Sequence, residues 1–385
     1  MTAIIGLTGL RPAPDHVAQV SAPPYDVIKP GTPLAARLAQ EPLSITQVTM
    51  GQDPATALAS LQARGAMITD NEPCYYVYEQ CWDGQRRIGL FAAVEVSDYA
   101  DGQIIRHEKT FDDKVRGRIA LATATGYSTG PVFLLTKAPL ADAWATISAA
   151  PPCYAFTSDF GPGTDLSGIS NRIWRVSADS PAGRSLASLV APDPLYIADG
   201  HHRYHAALRS GQTHTLAYIT DGARILAYNR VIRGPTPFAA IAQDLDLRPV
   251  DAFTTPPKHQ FCLYSDGRSW LLPASTVPED VVGRLDCSIL ERELYPRLGL
   301  SHAMIMDEAH FDYYPEYALD TMRAVVDDDR YDLAVALAPV DIEELMAVAD
   351  AGLRNPDIVM PEKSTFFAPK ILSGLFLYRH RRRAG

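Results

Sequence analysis

The 385-residue chain lacks several features that would assign it at once to a structural class. It contains no run of about 18 apolar residues, so we expect no membrane-spanning helix. Its net charge of -10 is the opposite of the broad basic excess that general nucleic-acid binders carry, so a nucleic-acid partner is not expected. The five cysteines form no CxxC pair, which argues against a structural zinc knuckle.

The sequence also lacks an internal repeat and a recognisable leader. Its first residues, MTAIIGLTGLRP, have neither a basic start nor a clear cleavage site. Together with the odd number of cysteines, this pattern predicts a cytoplasmic protein. The basic tail RHRRRAG, from Arg379 to Gly385, is typical of a short solvated terminus.

What is present is a globular composition with alternating helix and strand patterns. Hydrophobic residues make up 47% of the chain, enough for a sizeable core. Residues 73–99 predict two strands joined at Asp83–Gly84. The apolar run 194–198 predicts a buried strand that leads into a helix over 201–210, and another helix is predicted near 277–283. We therefore predict an α+β fold with mixed sheets.

The segment YIADGHHRYHAALRSG, residues 196–211, carries the most specific chemistry. Gly200 allows a sharp turn at the strand end, and the free N–H groups of a following helix start favour an anion. His201, His202 and Arg203 add side-chain donors at that place. Asp199 is suited to hold Mg²⁺ against a phosphate or to orient a reacting group. The segment thus predicts a phosphate-binding turn, although it is not a GxxxxGK[ST] loop.

Two other interpretations of this segment stay open. In the first, Asp199 simply caps the helix and the histidines lie at the surface. In the second, His201 and His205, four positions apart on one helix face, bind a metal ion, although the acid of an HExxH motif is missing.

A second polar stretch, IIRHEKTFDDKVRGR, follows a probable strand at residues 104–118. His107 and Glu108 lie together here, and Glu108 is a candidate general base because burial and cationic neighbours tune carboxyl groups for that role. A charge run of this kind is also typical of a solvated face. The cations that would meet phosphate charge are Arg106, Lys109, Lys114, Arg116 and Arg118.

Two clusters near the chain ends lie among prolines and are candidates for substrate binding. VSAPPYDVIKP offers Tyr25 and Asp26, after two prolines that favour an extended backbone. MPEKSTFFAPKILSGLF offers polar groups between two prolines. Structural turns are the alternative interpretation of both clusters. The candidate residues of the second cluster are Lys363, Ser364, Thr365 and Lys370.

Four blocks in this order carry a resemblance to a known family over essentially the whole chain. SAPPYDVI, RHEKT, YIADGHHRYHAAL and PEKSTFFAPKILSGLF resemble the prokaryotic family called domain of unknown function 1015. His107–Glu108, then GPVFLLTK, then DGHHR also resemble the ParB/sulfiredoxin superfamily, and most of all its free serine kinases. That second resemblance covers roughly residues 100–235, with an insertion at about 138–193.

The second resemblance implies a fold and a site. It implies a mixed-sheet ParB/sulfiredoxin-like core over residues 100–235, flanked by an N-terminal region, 1–99, and a C-terminal α/β region, 236–385. Carried over by position, Glu108 would be the catalytic base with His107 beside it. Asp199 would act near Mg²⁺ or the hydroxyl group. Residues 200–203 would bind the nucleotide phosphates.

The activity that the resemblance implies is that of a small-molecule kinase. It would transfer a phosphoryl group from ATP or ADP, with Mg²⁺, to a hydroxyl metabolite, and free L-serine is one candidate. One alternative is a nucleotide-binding regulator of the ParB type that changes partners without turnover. Another is a phosphatase or nuclease that uses the same phosphate loop.

Overall fold

A computed structural model describes residues 3–161 and 164–380. The chain forms two compact units, one of residues up to 223 together with those from 369 onward, and one of residues 224–368. Strands from residues 1–99 and from residues 100–235 share one sheet of the first unit, and the division into three regions stays a prediction. Most of the basic tail, residues 381–385, lies outside the described residues. None of the described helices is long and apolar enough to cross a membrane.

Short strands run through both units and are numbered here along the chain. They are β1 (Ile4–Ile5), β2 (Leu10–Pro12), β3 (Met67–Thr69), β4 (Cys74–Trp82), β5 (Gln85–Glu95), β6 (Ile104–Ile105), β7 (Tyr127–Ser128), β8 (Val132–Leu135), β9 (Tyr154–Ser158), β10 (Ile169–Ser177), β11 (Leu195–Asp199), β12 (His214–Thr220), β13 (Arg224–Leu226), β14 (Tyr228–Ile232), β15 (Arg248–Val250), β16 (Gln260–Ser265), β17 (Arg268–Pro273), β18 (Phe311–Pro315), β19 (Leu333–Leu337), β20 (Phe366–Ala368) and β21 (Tyr378–Arg379).

The α-helices are numbered in the same way. They are α1 (Val17–Val20), α2 (Pro33–Gln40), α3 (Thr46–Thr49), α4 (Pro54–Ala63), α5 (Asp112–Thr125), α6 (Ala141–Ile147), α7 (Pro181–Val190), α8 (His201–Arg209), α9 (Phe238–Ile241), α10 (Asp286–Glu293), α11 (Leu319–Asp327) and α12 (Ile342–Arg354).

The first unit is built on a nine-stranded mixed sheet. Its strand order is β6-β11-β8-β12-β5-β4-β10-β9, with β1 paired to β5. β4 and β5 form the hairpin predicted at Asp83–Gly84, and both turn residues have positive φ, 45° and 71°, as a two-residue turn of this type requires. β9 and β10, from the predicted insertion, extend one edge of this sheet. The large mixed sheet agrees with the mixed-sheet fold that the sequence predicts.

One hydrophobic core of the first unit lies between this sheet and helices on one face. Side chains from β8, β11 and β12 pack there with Trp144 of α6, Leu186 of α7 and Tyr204 of α8. In α8, Tyr204 and Ala207 face the core, whereas Arg203 lies on another side and stays partly exposed. This arrangement anchors α8 by its middle turns and leaves its first turn, at the end of β11, for polar contacts.

The second unit has a six-stranded sheet in the order β15-β17-β16-β19-β14-β18. The predicted helix near 277–283 is wrong, since these residues form turns. The physical reason is local. The Asp280 carboxylate accepts hydrogen bonds from the backbone N–H of Gly283 at 2.7 Å and of Val282 at 3.3 Å. Such side-chain contacts compete with the helical backbone pattern.

Candidate functional site

The candidate site begins where β11 ends and α8 starts. Gly200 stands between them with φ +96°, a backbone conformation that glycine adopts without strain. A Cβ atom at this position would lie 2.8 Å from Arg203 Nε, so the missing side chain also makes room for Arg203. Gly200 is the N-cap residue, and no side chain caps the helix. The interpretation of Asp199 as a helix cap is therefore wrong.

Asp199 binds two cations instead. Lys370 Nζ lies 3.3 Å and an Arg203 Nη atom 3.4 Å from Asp199 Oδ2. The side chains are largely shielded, with exposed fractions of 25% for Asp199, 17% for Arg203 and 9% for Lys370. Burial by itself raises the pKa of Asp199, but Lys370 and Arg203 outweigh it and hold this pKa well below its usual range. Asp199 is thus a carboxylate at neutral pH.

The backbone of Lys370 is held in place by residues that sequence reasoning missed. Its N–H donates to Asp165 Oδ2 at 2.9 Å, and its carbonyl accepts from Gln80 Nε2 at 3.2 Å. The buried Arg87 donates a hydrogen bond to the backbone carbonyl of Pro369, the residue that precedes Lys370. No local motif marks these three side chains, because only the folded sheet brings them to the C-terminal block.

Glu108 lies between two buried histidines. Glu108 Oε1 is 3.7 Å from His107 Nε2, and Oε2 is 3.4 Å from His201 Nδ1. The two imidazole rings are perpendicular, with centroids 4.5 Å apart. Burial lowers the pKa of His107 to about 4 and that of His201 well below its ordinary value, so both rings are neutral at pH 7. Neutral rings leave Glu108 without a cationic histidine as counter-ion.

The second histidine of the motif fixes the loop that carries Glu108. The backbone N–H of Phe111 donates to His202 Nε2 at 3.1 Å, and the two rings stack with centroids 5.8 Å apart. Burial, together with Lys114 and Arg203, lowers the pKa of His202 to about 4, so the ring is neutral and accepts this bond. The three side chains of the HHR sequence therefore have different contacts, and the phosphate role predicted for the histidines stays a prediction.

A pocket opens beside the first turn of α8. It encloses about 590 Å³ of empty space, a volume that includes its open mouth. Arg203 and Arg118 both line it, and the Arg118 guanidinium carbon lies 3.9 Å from the ring centroid of Tyr25. Burial raises the pKa of Tyr25 despite the nearby Arg118. The other lining residues are Pro24, Thr49, Leu121, Ala122, Tyr127, Ser128, Thr129, Gly130, Ala206, Ala207, Gln212, Thr215, Ser373 and His380.

The remaining predicted cations of the first unit lie outside this pocket. Arg106 lies over the ring of Tyr99, 4.8 Å from its centroid. Lys109 is exposed. Lys114 lies over the ring of Phe111, and Arg116 forms an exposed ion pair with Asp113. The alternative of a solvated charged face therefore describes Lys114 and Arg116 on α5, whereas Arg118 on the same helix lines the pocket. Asp26 is exposed too.

Three of the candidate substrate residues belong to the second unit. Lys363 has φ +58°, and its Nζ lies 5.4 Å from the ring centroid of Tyr228. Ser364 is buried and its Oγ lies 3.1 Å from Cys287 Sγ. Thr365 is half-buried. A role for these three residues at the site stays a prediction, whereas Tyr25 and Lys370 lie with the site of the first unit.

The candidate metal ligands that the structure brings together differ from those that the sequence predicted. Among the described residues, the group whose ligand atoms lie within 4.8 Å of one another is His107, Glu108 and His201. His205, the other histidine of the proposed i,i+4 pair, instead stacks on Tyr99 with centroids 5.9 Å apart. Asp199 Oδ2 already contacts two cations, which compete with Mg²⁺ for it. Asp199 is therefore a poor fit for a protein-held Mg²⁺ ion.

Comparisons with known proteins support the family suggested by the first three sequence blocks, whereas the fourth block lies outside the matched residues. A family model described as "Protein of unknown function (DUF1015)" matches residues 4–288, well over half of the chain. The chain belongs to this family. The comparison with curated proteins found no match.

Similar solved structures are distant from this DUF1015 member. A conserved hypothetical protein from Pyrococcus furiosus is 14% identical with a TM-score of 0.37, over 75% of this chain and 94% of that one. A free serine kinase in complex with AMP is 13% identical with a TM-score of 0.38, over 74% and 92%. SbnI with a C-terminal truncation, from Staphylococcus aureus, is 11% identical with a TM-score of 0.38, over 74% and 85%.

Proposed function

We propose that this protein is a small-molecule kinase that transfers a phosphoryl group from ATP or ADP to a hydroxyl metabolite. One observation carries the proposal. Glu108 contacts His201 in the first turn of α8, and two residues further along Arg203 joins Asp199 and lines the pocket with Arg118. A carboxylate that can take a proton therefore lies against the same helix start that carries cations suited to a phosphate.

The proposed donor site is the pocket and the free N–H groups at the start of α8. Arg203 and Arg118 would neutralise the phosphate charge as it moves to the leaving nucleotide, and the helix start adds backbone donors. Mg²⁺ would arrive bound to the nucleotide phosphates, since such ions are often held by the phosphates with few protein ligands. Asp199 would keep Arg203 and Lys370 aimed at this place.

The proposed chemistry needs only a base and an oriented acceptor. Glu108 would accept the proton of the acceptor hydroxyl as its oxygen forms a bond to the terminal phosphorus of the donor. The bond between that phosphorus and the bridging oxygen breaks, which leaves ADP from ATP or AMP from ADP. The neutral rings of His107 and His201 would hold the carboxylate without neutralising it.

The proposed kinase would have a ParB/sulfiredoxin-like core and a small hydroxyl compound as its acceptor. The order of Glu108, β8, β11, α8 and β12 supports a ParB/sulfiredoxin-like core. Free L-serine is the first acceptor to test, because the sequence blocks resemble free serine kinases. Tyr25 and Lys370 are the acceptor-selecting residues of the first unit that we propose. A cytoplasmic location, which the cysteine usage suggests, completes the proposal.

The test is a transfer assay with matched variants. Purified protein is incubated with Mg²⁺, either ATP or ADP, and a panel of hydroxyl metabolites that includes L-serine, and products are identified by mass spectrometry. We expect a phosphorylated product, and a decrease in turnover of about 10²–10⁴-fold for Glu108→Gln with nucleotide affinity retained. Glu72→Gln, which changes an exposed glutamate of the same unit, is the control and should keep full activity.

Three outcomes would overturn the proposal. Nucleotide binding with a change in oligomeric state but no product would favour the switch interpretation. Release of inorganic phosphate or nucleotides from phosphorylated substrates without any transfer would favour a phosphatase or nuclease. Equal turnover in Glu108→Gln and the wild type would remove Glu108 as the base.

A further inference from the structure

The ring of His107 is buried, with an exposed fraction of 0%. Neither ring nitrogen makes a hydrogen bond of good geometry, although the backbone of Ile197 lies close enough to the ring to raise its pKa against the effect of burial. A buried polar group that lacks a partner costs roughly 1–3 kcal/mol, so such groups are rare in folded proteins. Nε2 lies 3.7 Å from Glu108 Oε1, too far for a hydrogen bond but close enough for both atoms to share a third partner.

Three potential ligand atoms surround the same point. Besides His107 and Glu108, His201 lies with Nδ1 at 3.4 Å from Glu108 Oε2, and the group spans no more than 4.8 Å. A tetrahedral ion with ligand bonds of about 2.0–2.1 Å separates its ligand atoms by about 3.4 Å. The separations of 3.7 Å and 3.4 Å are close to this value but involve different oxygens of Glu108, and the whole group spans up to 4.8 Å. Rotation of the side chains would therefore be needed to bring one atom of each residue to a single ion.

We propose that His107, Glu108 and His201 bind one divalent transition-metal ion of the zinc class. Two imidazoles and one carboxylate suit Zn²⁺, Fe²⁺ and Co²⁺, whereas Mg²⁺ and Ca²⁺ prefer oxygen ligands alone. Three protein ligands leave an open coordination position. Glu108 is 29% exposed, so the ion can reach the group from solvent.

The backbone around the group is already fixed. His107 and Glu108 lie in the loop between β6 and α5, and the bond from Phe111 N–H to His202 ties the end of that loop to α8. His201 is the first residue of α8, directly after the turn at Gly200. Both sides of the proposed site are therefore held by the same helix start, which favours a preformed geometry.

The position of the proton on the His201 ring decides whether Nδ1 binds a metal ion or donates a hydrogen bond to Glu108. The backbone N–H of His107 lies 3.5 Å from His201 Nε2, at the long limit for a hydrogen bond. In that tautomer Nδ1–H points to Glu108 and no ion is bound. An ion on Nδ1 puts the proton on Nε2 instead, so His201 gives up both this long contact and its Nδ1–H contact with Glu108. Ion binding and a donor role for His201 thus exclude one another.

The ion and the proposed base would use the same carboxylate. An ion bound to Glu108 occupies the lone pair that would accept the hydroxyl proton, a consequence that rests on the proposed function. Metal binding itself is measured without nucleotide or acceptor. A failure of metal binding therefore leaves the transfer proposal intact, and a failure of transfer leaves the metal site intact.

The experiment titrates the metal-stripped full-length chain with Co²⁺ and follows its visible ligand-field absorption, then displaces Co²⁺ with Zn²⁺. We expect one ion per chain. Glu108→Gln and His201→Asn should each weaken the affinity at least about tenfold, as losses around metal sites generally do. His302→Ala is the control. It removes an exposed histidine that pairs with Glu291 at 2.9 Å, and it should leave Co²⁺ affinity unchanged.

X-ray absorption spectroscopy of the Zn²⁺-loaded wild type identifies the atoms that coordinate the ion without the use of a variant. We expect two imidazole nitrogens and at least one oxygen in the coordination shell, and thermal melts check that each variant is folded. The proposal is overturned if Co²⁺ forms no one-to-one complex, if the shell lacks two imidazoles, or if folded Glu108→Gln binds as tightly as the wild type. Loss of binding in His302→Ala alone would also overturn it.

Discussion

Lys370 Nζ lies 3.3 Å from Asp199 Oδ2, although 171 positions separate the two residues in the chain. The same oxygen contacts Arg203, which lines the pocket beside α8. Lys370, from the C-terminal block of the sequence, and the IADGHHRY block are therefore brought together within the first unit. We expect this three-residue contact to control both the stability of the first unit and its affinity for nucleotide.

Lys370→Met should destabilise the first unit. It removes the cation that does most to hold down the pKa of a partly buried carboxylate, so the pKa of Asp199 should rise toward or above its ordinary value of 3.8. We expect a loss of about 2 kcal/mol in the free energy of unfolding at pH 7. The pair stabilises above the ordinary pKa of aspartate, so the difference from the wild type should shrink as the pH falls below it.

Arg116→Met is the matched control for this substitution. Its exposed ion pair with Asp113 should contribute less than about 1 kcal/mol. Urea denaturation at pH 7 measures both variants. Equal stabilities for Lys370→Met and Arg116→Met would show that the contact with Asp199 does not stabilise the fold.

A comparison of Gly200→Ala with Gly211→Ala separates the effect of backbone strain on stability from the effect of a displaced Arg203 on nucleotide binding. Both glycines flank α8 with positive φ, +96° and +63°. A Cβ at Gly200 would meet Arg203 Nε at 2.8 Å, whereas nothing lies within 4 Å of one at Gly211. We expect both variants to lose about 1 kcal/mol of stability. Only Gly200→Ala should also weaken nucleotide binding, measured by calorimetry, and similar affinities in both variants would contradict the account.

Arg203→Ala should weaken nucleotide binding at least about tenfold, because a cation in a shielded site is lost from the phosphate. Arg209→Ala is the control on the same helix. Arg209 forms an exposed pair with Asp112 at 2.6 Å and does not line the pocket. Calorimetric titration with ADP measures both variants. If Arg209→Ala weakens binding as much as Arg203→Ala, general electrostatics and not the pocket explains the effect.

The free energy of unfolding should decrease as the pH is lowered below about 6.5. Burial lowers the pKa of His107 and of His202 to about 4, below the ordinary value of 6.5. Between these values the unfolded chain binds protons that the folded chain does not, so the free energy of unfolding decreases as the pH decreases. His202→Asn should reduce that pH dependence by about one proton per chain. Denaturation curves at pH 7, 6 and 5 test this, and identical slopes for both proteins would contradict it.

Local patterns predicted local structure well. The hairpin turn at Asp83–Gly84 and the helix that begins after Gly200 follow from residue preferences within a few positions, and the structure has both. The prediction of a helix near 277–283 was wrong because the Asp280 carboxylate accepts hydrogen bonds from nearby backbone N–H groups. Residues 112–125 form α5, whereas the sequence pattern there showed only a charge run.

The assembly of the site could not be predicted from such patterns. Glu108 meets His201 because β6 pairs with β11, which brings the ends of two distant segments together. Lys370 reaches Asp199 because Asp165 and Gln80 hold its backbone. These contacts depend on strand order and side-chain packing. The motif resemblance identified the residues, but it did not show that His202 holds Phe111 while Arg203 faces the pocket.

The proposed kinase would bind nucleotide phosphates at the start of α8. The decisive measurement is a crystal structure of the protein soaked with a non-hydrolysable ATP analogue and Mg²⁺. We predict that phosphate oxygens accept hydrogen bonds from Arg203 and from backbone N–H groups of the first turn of α8, with the terminal phosphate on the side of Glu108. Phosphates bound elsewhere, with the start of α8 and Arg203 free of them, would contradict the account.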